Sequence, residues 1–209
     1  MEGGNAMNII LMGYRCSGKT SAGKGLAERL GFSFYDTDEM VERQTGLPIP
    51  RIVAEQGWDA FRQAERAVIR ELSGADRGVI ALGGGAVLDS RNVENLKGKG
   101  VFVWLIANAK TIAARMGNDE ASGSERPSLT QASSIGEIDE VLAEREPLYR
   151  RMADLAVDTT EIEANRVAEA ICAGLRNRFP QTEGIADEPG KAVEPSGPGG
   201  VVIPGGKEN

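Results

Sequence analysis

The sequence predicts an α/β protein built on a parallel sheet, and three observations carry that expectation. Short apolar runs alternate with stretches of helical periodicity, which is the pattern of successive βαβ units. The run "NIILM" leads straight into "GYRCSGKT", a glycine-rich junction between a strand and a helix. The chain has 209 residues, enough for one domain with a substantial core and few for two.

Taken in chain order, Asn8–Met12 is the first apolar run and reads as a strand, and Lys19–Leu30 follows it with helical spacing. Phe32–Tyr35 is a second strand, followed by a helix over Asp38–Thr45. A shorter helix is expected over Pro50–Gln56, where proline is tolerated in the first turn, and another over Trp58–Leu72. Gly78–Leu82, Val101–Ile106 and Leu155–Val157 complete a set of five strands. Between and after them, helices are expected over Ser90–Leu96, Ala109–Met116, Ile138–Arg151 and Arg166–Phe179. The stretch "EREPLYRR" carries Pro147 within a helical pattern, so that helix should kink or be interrupted there.

Two segments break the rhythm. Residues 117–131, "GNDEASGSERPSLTQ", are polar, small and too long for an ordinary connection, and they read as a mobile lid. The tail over 180–209 is rich in proline and glycine and poor in large apolar side chains. It cannot bury enough surface to offset the entropy of ordering, and it is expected to be disordered. Residues 1–7 read as a flexible leader, with a mis-set start ahead of Met7 as the alternative. The folded domain is thus expected over 8–179, with no internal repeat.

The formal net charge is -7, from 24 basic and 31 acidic residues, which argues against a nucleic-acid partner and makes any anion site a local feature. Histidine is absent, which removes His-based triads, His metal sites and His general bases. The cysteines, Cys16 and Cys172, are far apart and lack metal spacing, so a reduced, cytoplasmic protein is the simplest reading. No apolar stretch is long enough to span a membrane, and the chain is expected to be a monomer.

The stretch Gly13–Thr20 fits G-x-x-x-x-G-K-[ST], the P-loop. Gly13 and Gly18 let the backbone curl until successive N–H groups point into one concavity. The next helix adds its free N–H groups and the positive end of its dipole. Lys19 brings a point charge to the β- and γ-phosphates, and the Thr20 hydroxyl is suited to Mg²⁺. A bare glycine turn at a helix start is the bland alternative, and the strand before with the helix after argues against it. Cys16 sits in this loop near a helix N-terminus that lowers a thiol pKa, though a small residue filling an unconstrained position is the plainer reading.

The second strand ends in "FYDTD", placing Asp36 and Asp38 at its carboxyl end, where open α/β sheets bind ligands. Alternation along a strand turns both the same way; one suits the water shell of a metal, the other a hydroxyl acceptor. The alternative for Asp38 is a helix N-cap. In "GWDAFRQAE", Arg62 and Glu65 are three apart and can pair, either as a surface ion pair or as a buried one that stiffens Arg62 for a carboxylate. "VIALGGGAVL" ends the third strand in Gly83, Gly84 and Gly85, a tight turn or a place where a ligand lies against the backbone. Arg126 falls in the lid, and Arg145 precedes the proline of the late helix.

Together, "GYRCSGKT", "FYDTD", "FR..E", "GGG", the lid "RP" and "R.PLY" resemble, in order and approximate spacing, the shikimate kinases, over roughly Asn8 to Leu175. The resemblance implies a doubly wound, nucleoside-monophosphate-kinase-like fold with a five-stranded parallel sheet and a mobile lid. It implies transfer of the γ-phosphoryl group of ATP to the 3-hydroxyl of shikimate, on the route to chorismate and aromatic amino acids. By matching motif positions, Gly13, Ser17, Gly18, Lys19, Thr20 and Arg126 would contact ATP, and Arg115 would lie near its adenine. Thr20 would ligate Mg²⁺, with Asp36 assisting through water. Asp38 would bind the shikimate hydroxyls and take part in catalysis with Lys19 and Arg126. Arg62, Arg145 and the backbone of Gly83, Gly84 and Gly85 would hold the rest of shikimate. The chain departs from the family in Trp58, where a glutamate is common, in Ser128 of the lid, in a longer lid and in its tail. Two rivals keep the fold: another small-molecule kinase such as a gluconate kinase, and a non-catalytic nucleotide-binding regulator.

Overall fold

Asn8–Met12 form β1, and every residue of it is buried. A strand buried on both faces belongs in the middle of a sheet covered by helices on either side, and that is its position. The computed structural model describes residues 7–121, 135–179 and 201–202. Its sheet has the order β2-β3-β1-β4-β5-β6, with β2 over Ser33–Asp36, β3 over Gly78–Ala81, β4 over Gly100–Ile106, β5 over Leu155–Asp158 and β6 over Val201–Val202. Strands β1 to β5 pair in parallel, as expected. Seven α-helices are described: α1 (Lys19–Leu30), α2 (Thr37–Thr45), α3 (Ile49–Leu72), α4 (Ser90–Leu96), α5 (Ala109–Ala121), α6 (Ile135–Met152) and α7 (Ala164–Arg178).

The period-two alternation of β1 sorts its side chains between two cores. Ile9 and Leu11 face α1 and α7, meeting Leu26 and Ile171. Ile10 and Met12 face the other layer, with Val41 of α2, Ile69 of α3, Leu96 of α4 and Tyr149 of α6. Each such aliphatic side chain contributes about 1.5–3 kcal/mol when fully buried, so these two layers fix the sheet before any polar group is considered. A smaller cluster of Tyr14, Ile112, Met116 and Ile138 ties α5 and α6 to the loop after β1. At the opposite end of the sheet, the Asn8 amide donates to Ala75 O (2.8 Å) and Lys99 O (3.1 Å) and accepts from Gly78 N (2.8 Å). That side chain locks the amino ends of β1, β3 and β4 and leaves the carboxyl ends to the functional loops.

The two helices foreseen around Gly57 are present: α3 is a pair of helical pieces meeting at a kink where Gly57 takes the non-helical φ 84° and ψ 169°, a positive-φ conformation that glycine enters without a Cβ clash. Three local expectations need correction. Helix α5 continues to Ala121, so residues 117–121 of the expected lid are helical, and the remainder of that lid lies outside the described residues. The helix expected over Ile138–Arg151 is present as α6, and it is not interrupted at Pro147. Beyond the proline, Tyr149 is buried and stacks on Trp104 with ring centroids 5.8 Å apart, which anchors the last turns. Finally, the tail is not without order throughout, because Val201 and Val202 pair with Val157 and Ala156. Without them β5 would be a sheet edge with unsatisfied donors and acceptors. The leader over 1–6 and the rest of the tail lie outside the described residues. Among the described residues no helix is long and apolar enough to cross a membrane.

Candidate active site

The loop joining β1 to α1 departs from ordinary backbone at Gly13 (φ 146°), Cys16 (φ 58°) and Gly18 (φ 98°). A Cβ on Gly13 would lie 2.5 Å from Leu105 O, so the sheet itself requires glycine there. Lys19, the first residue of α1, is buried and arches back: its Nζ donates to Gly13 O (3.0 Å) and Tyr14 O (2.7 Å). Thr20 Oγ1 donates to Asp36 Oδ2 at 2.8 Å. Ser17 Oγ is buried with no hydrogen-bond partner among the described residues, which is costly for a hydroxyl unless a ligand completes it.

Asp36 and Asp38 do not share a strand face. Asp36 ends β2 and is itself the N-cap of α2, its Oδ1 accepting from Asp38 N (3.0 Å) and Glu39 N (3.4 Å). Asp38 lies in the first turn of that helix, so the capping role considered for it belongs to Asp36. The chain turns from strand to helix here because the cap satisfies the free N–H groups, and the turn still leaves both carboxylates on one cleft. Thr37, between them, is fully buried, and its Oγ1 accepts from Gly83 N at 2.8 Å. That bond joins the end of β2 to the glycine run after β3.

Of the two readings of Arg62 and Glu65, the buried one holds. Glu65 is 1 % exposed, and Arg62 Nη1 donates to both its oxygens, at 3.0 and 2.8 Å. Burial pushes the Glu65 carboxyl up to about 6, the Arg62 charge opposes this, and the nearby Asp38 carboxylate adds to it. The Arg62 guanidinium also lies 5.1 Å from the centre of the Phe61 ring and 5.8 Å from that of Trp58. Beneath it run the three glycines. A Cβ on Gly83 would lie 2.5 Å from Asp38 Oδ1, one on Gly84 would lie 3.1 Å from Arg15 N, and one on Gly85 would lie 2.6 Å from Arg62 Nη2. Close approach, and not positive φ, is therefore what demands glycine here. Gly84 O in turn accepts from Arg145 Nη1 (3.1 Å) and from the Tyr149 hydroxyl (3.0 Å). Arg145 also sits 5.5 Å from the centre of the Tyr14 ring, so the phosphate loop and α6 meet over the glycines.

Arg115 of α5 reaches under the loop. Its Nη1 donates to Cys16 O (3.3 Å) and Thr159 Oγ1 (3.2 Å), and its Nη2 to Thr159 O (2.7 Å). A cleft of about 410 Å³ is lined by every expected site residue that is described, except Gly13 and Ser17, which are buried in the loop behind it. Arg126 lies outside the described residues. Sequence reasoning passed over Tyr14, Thr37, Tyr149 and Thr159. The first three stand inside quoted motifs and were legible as neighbours of site residues; Thr159 follows a strand with no pattern around it.

Fold and cleft together define a small-molecule kinase of the P-loop class: a phosphate loop opens onto the same cavity as Asp38, Arg62 and Arg145. The shikimate kinase (SKI) family model matches residues 15–176, and the chain belongs to the shikimate kinase family. A shikimate kinase from Syntrophus aciditrophicus (strain SB) is 44% identical over 172 residues, covering 78% of this chain and 88% of the relative. Among solved structures, a shikimate kinase from Acinetobacter baumannii in complex with shikimate superposes with a TM-score of 0.76 at 35% identity, covering 83% of this chain and 96% of that one. A gluconokinase from Sinorhizobium meliloti 1021 shares the fold at a TM-score of 0.54, but its 24% identity shows the architecture alone. The expectations of an α/β sheet of nucleoside-monophosphate-kinase type and of an ATP-dependent kinase are thus borne out.

Proposed function

We propose that this chain transfers the γ-phosphoryl group of ATP to the 3-hydroxyl of shikimate, with the roles divided along the cleft. The observation that carries the reading is Arg62, held by buried Glu65 over three glycines in the same cleft as Gly18, Lys19 and Thr20. A rigid guanidinium above bare backbone suits a flat ring acid, because it grips a carboxylate bidentately while the glycines admit the ring. Arg145 is the second cation for the carboxylate, and Asp38 orients the hydroxyls. Gly13 to Thr20 cradle the triphosphate, with the Ser17 hydroxyl completing the loop, and Arg115 borders the adenine. Lys19 leaves its two loop carbonyls for the β- and γ-phosphates when nucleotide enters. In the transfer, the acceptor oxygen forms a bond to γ-phosphorus as the bond to the β,γ-bridging oxygen breaks. The hydroxyl proton passes to Asp38, and ADP departs. Such a loose transition state asks for alignment and charge, not for a strong base, so a chain without histidine suffices. Arg126 of the lid would add the last positive charge on closure.

A Mg²⁺ ion fits the same place. Thr20 Oγ1 and Asp36 Oδ2 are hard oxygen donors 2.8 Å apart, and the hydroxyl, by donating to the carboxylate, keeps its lone pairs for another partner. These two residues would hold the ion, Thr20 directly and Asp36 through water. When bound, Mg²⁺ neutralises charge on the β- and γ-phosphates. We place the enzyme in the cytoplasm as a monomer, a reading that rests on cysteine usage and charge and is checked by fractionation and light scattering.

The deciding experiment is ADP release by the purified chain with shikimate, gluconate and nucleoside monophosphates in parallel. Shikimate alone should support stoichiometric release. Release with gluconate instead would move the chain to the gluconate kinases, and ATP binding without transfer to any acceptor would make it a regulator.

A further inference from the structure

The peptides of a phosphate loop have two ends. Each N–H that points into the cleft belongs to a planar trans peptide whose carbonyl points the opposite way, into the protein. Buried carbonyls need donors. In this loop the donors are specific: Lys19 Nζ serves Gly13 O and Tyr14 O, and Ala22 N serves Gly18 O at 2.9 Å. Of the three carbonyls in between, two are served from outside the loop, Cys16 O by Arg115 and Ser17 O by Thr159 Oγ1 at 3.1 Å.

Thr159 stands just after β5 and is fully buried. Its hydroxyl donates within reach of two carbonyls, Ile106 O at 2.9 Å and Ser17 O at 3.1 Å, and Ile106 O also accepts the Thr159 backbone N–H at 2.8 Å. The one hydroxyl proton is shared between the loop and the end of β4, while the lone pairs accept Arg115 Nη1 at 3.2 Å. One side chain thus joins the loop, the end of β4 and the arginine on α5.

We propose that Thr159 is a positioning residue for the nucleotide: by holding Ser17 O inward it aims the Gly18 N–H into the cleft, and by bonding Arg115 it sets that guanidinium beside the loop. A Cβ on Gly18 would lie 4.0 Å from Arg115 Nη1, so the two groups border the same space. The inference rests on the reading of this loop as an ATP site. It assigns Thr159 no contact with the acceptor pocket, whose residues are held by Thr37, Glu65 and Tyr149 instead.

Thr159→Val keeps the shape and removes the hydroxyl, and Thr159→Ser keeps the hydroxyl and removes a methyl. Binding of ATP and of shikimate is measured separately by calorimetry, alongside thermal unfolding and the two KM values. The valine variant should lose about tenfold in ATP affinity, the cost of leaving one buried carbonyl without its donor. Shikimate affinity should stay unchanged, and the serine variant should recover ATP binding. If the valine variant does not fold, Thr159→Ala must show the same nucleotide-selective loss. Equal weakening of both ligands, or ATP affinity unaltered in a folded valine variant, overturns the positioning role. Failure of the unsubstituted protein to bind ATP would overturn the nucleotide reading itself, a separate result.

Discussion

On the side of the cleft proposed for the nucleotide, the recognising groups would be backbone N–H groups between Gly13 and Gly18 together with Lys19; on the side proposed for the acceptor they would be the side chains of Asp38, Arg62 and Arg145. The first set is contiguous, and its shape follows from three positive-φ residues and from donors that occupy the loop carbonyls. The second set comes from α2, α3 and α6, and nothing local aligns it. It is aligned by tertiary bonds: Glu65 on Arg62, Thr37 on Gly83, and Tyr149 with Arg145 on Gly84. A backbone site tolerates change around it as long as the carbonyls keep their partners. A side-chain site is only as rigid as the groups that hold it.

The contrast is broken most severely at Lys19. Lys19→Ala removes the ammonium that folds back over the loop carbonyls, and turnover should fall about a thousandfold or more. Shikimate binding, followed by calorimetry, should persist, and parallel loss of both ligands would mean that the halves are not independent. Next in size is Arg62→Lys. A point charge cannot replace the planar fork, so the acceptor KM should rise at least about tenfold with the ATP KM little changed. An unaltered acceptor KM would remove Arg62 from that pocket.

Glu65 gives a pH-dependent version of the same test. Its carboxyl titrates at about 6 in the folded protein against an ordinary 4.5. The folded state therefore binds the proton more tightly than the unfolded chain. The associated stability is complete below pH 4.5 and is lost as the pH rises through about 6. For this buried group the loss is about 2 kcal/mol. Relative to Glu65→Gln, the unsubstituted protein should lose that amount between pH 4 and pH 7 in denaturant titrations; a flat difference would show that Glu65 is not buried. Below pH 6 the protonated carboxyl also grips Arg62 less, so the acceptor KM should climb while the ATP KM stays level. The smallest effect belongs to the tail. Ending the chain after Phe179 removes the two-residue strand β6 from β5. It should cost about 1 kcal/mol or less and leave kcat unchanged; a large drop in kcat would mean that the tail supports the catalytic cleft.

Much of this was legible before any fold was known. "NIILM" followed by "GYRCSGKT" announced a buried strand and a phosphate loop, because that chemistry is carried by consecutive residues. The triplet of glycines was legible as a feature but not as a mechanism: its reason is the closeness of Asp38, Arg15 and Arg62, which chain neighbours do not reveal. Asp36 and Asp38 were marked together but wrongly arranged, since one residue ends a strand and caps a helix at once.

The amino-acid sequence by itself determined the alternation of strands and helices, the phosphate loop and the charged groups available for an acid, since hydrophobic period, glycine content and residue type are local properties. Only the tertiary structure decided that Glu65 is buried under Arg62 and that Thr159 stands behind the loop. Those facts depend on which distant side chains exclude water from a group and which supply its hydrogen bonds, and such neighbours exist only once the sheet and its two helical layers have closed.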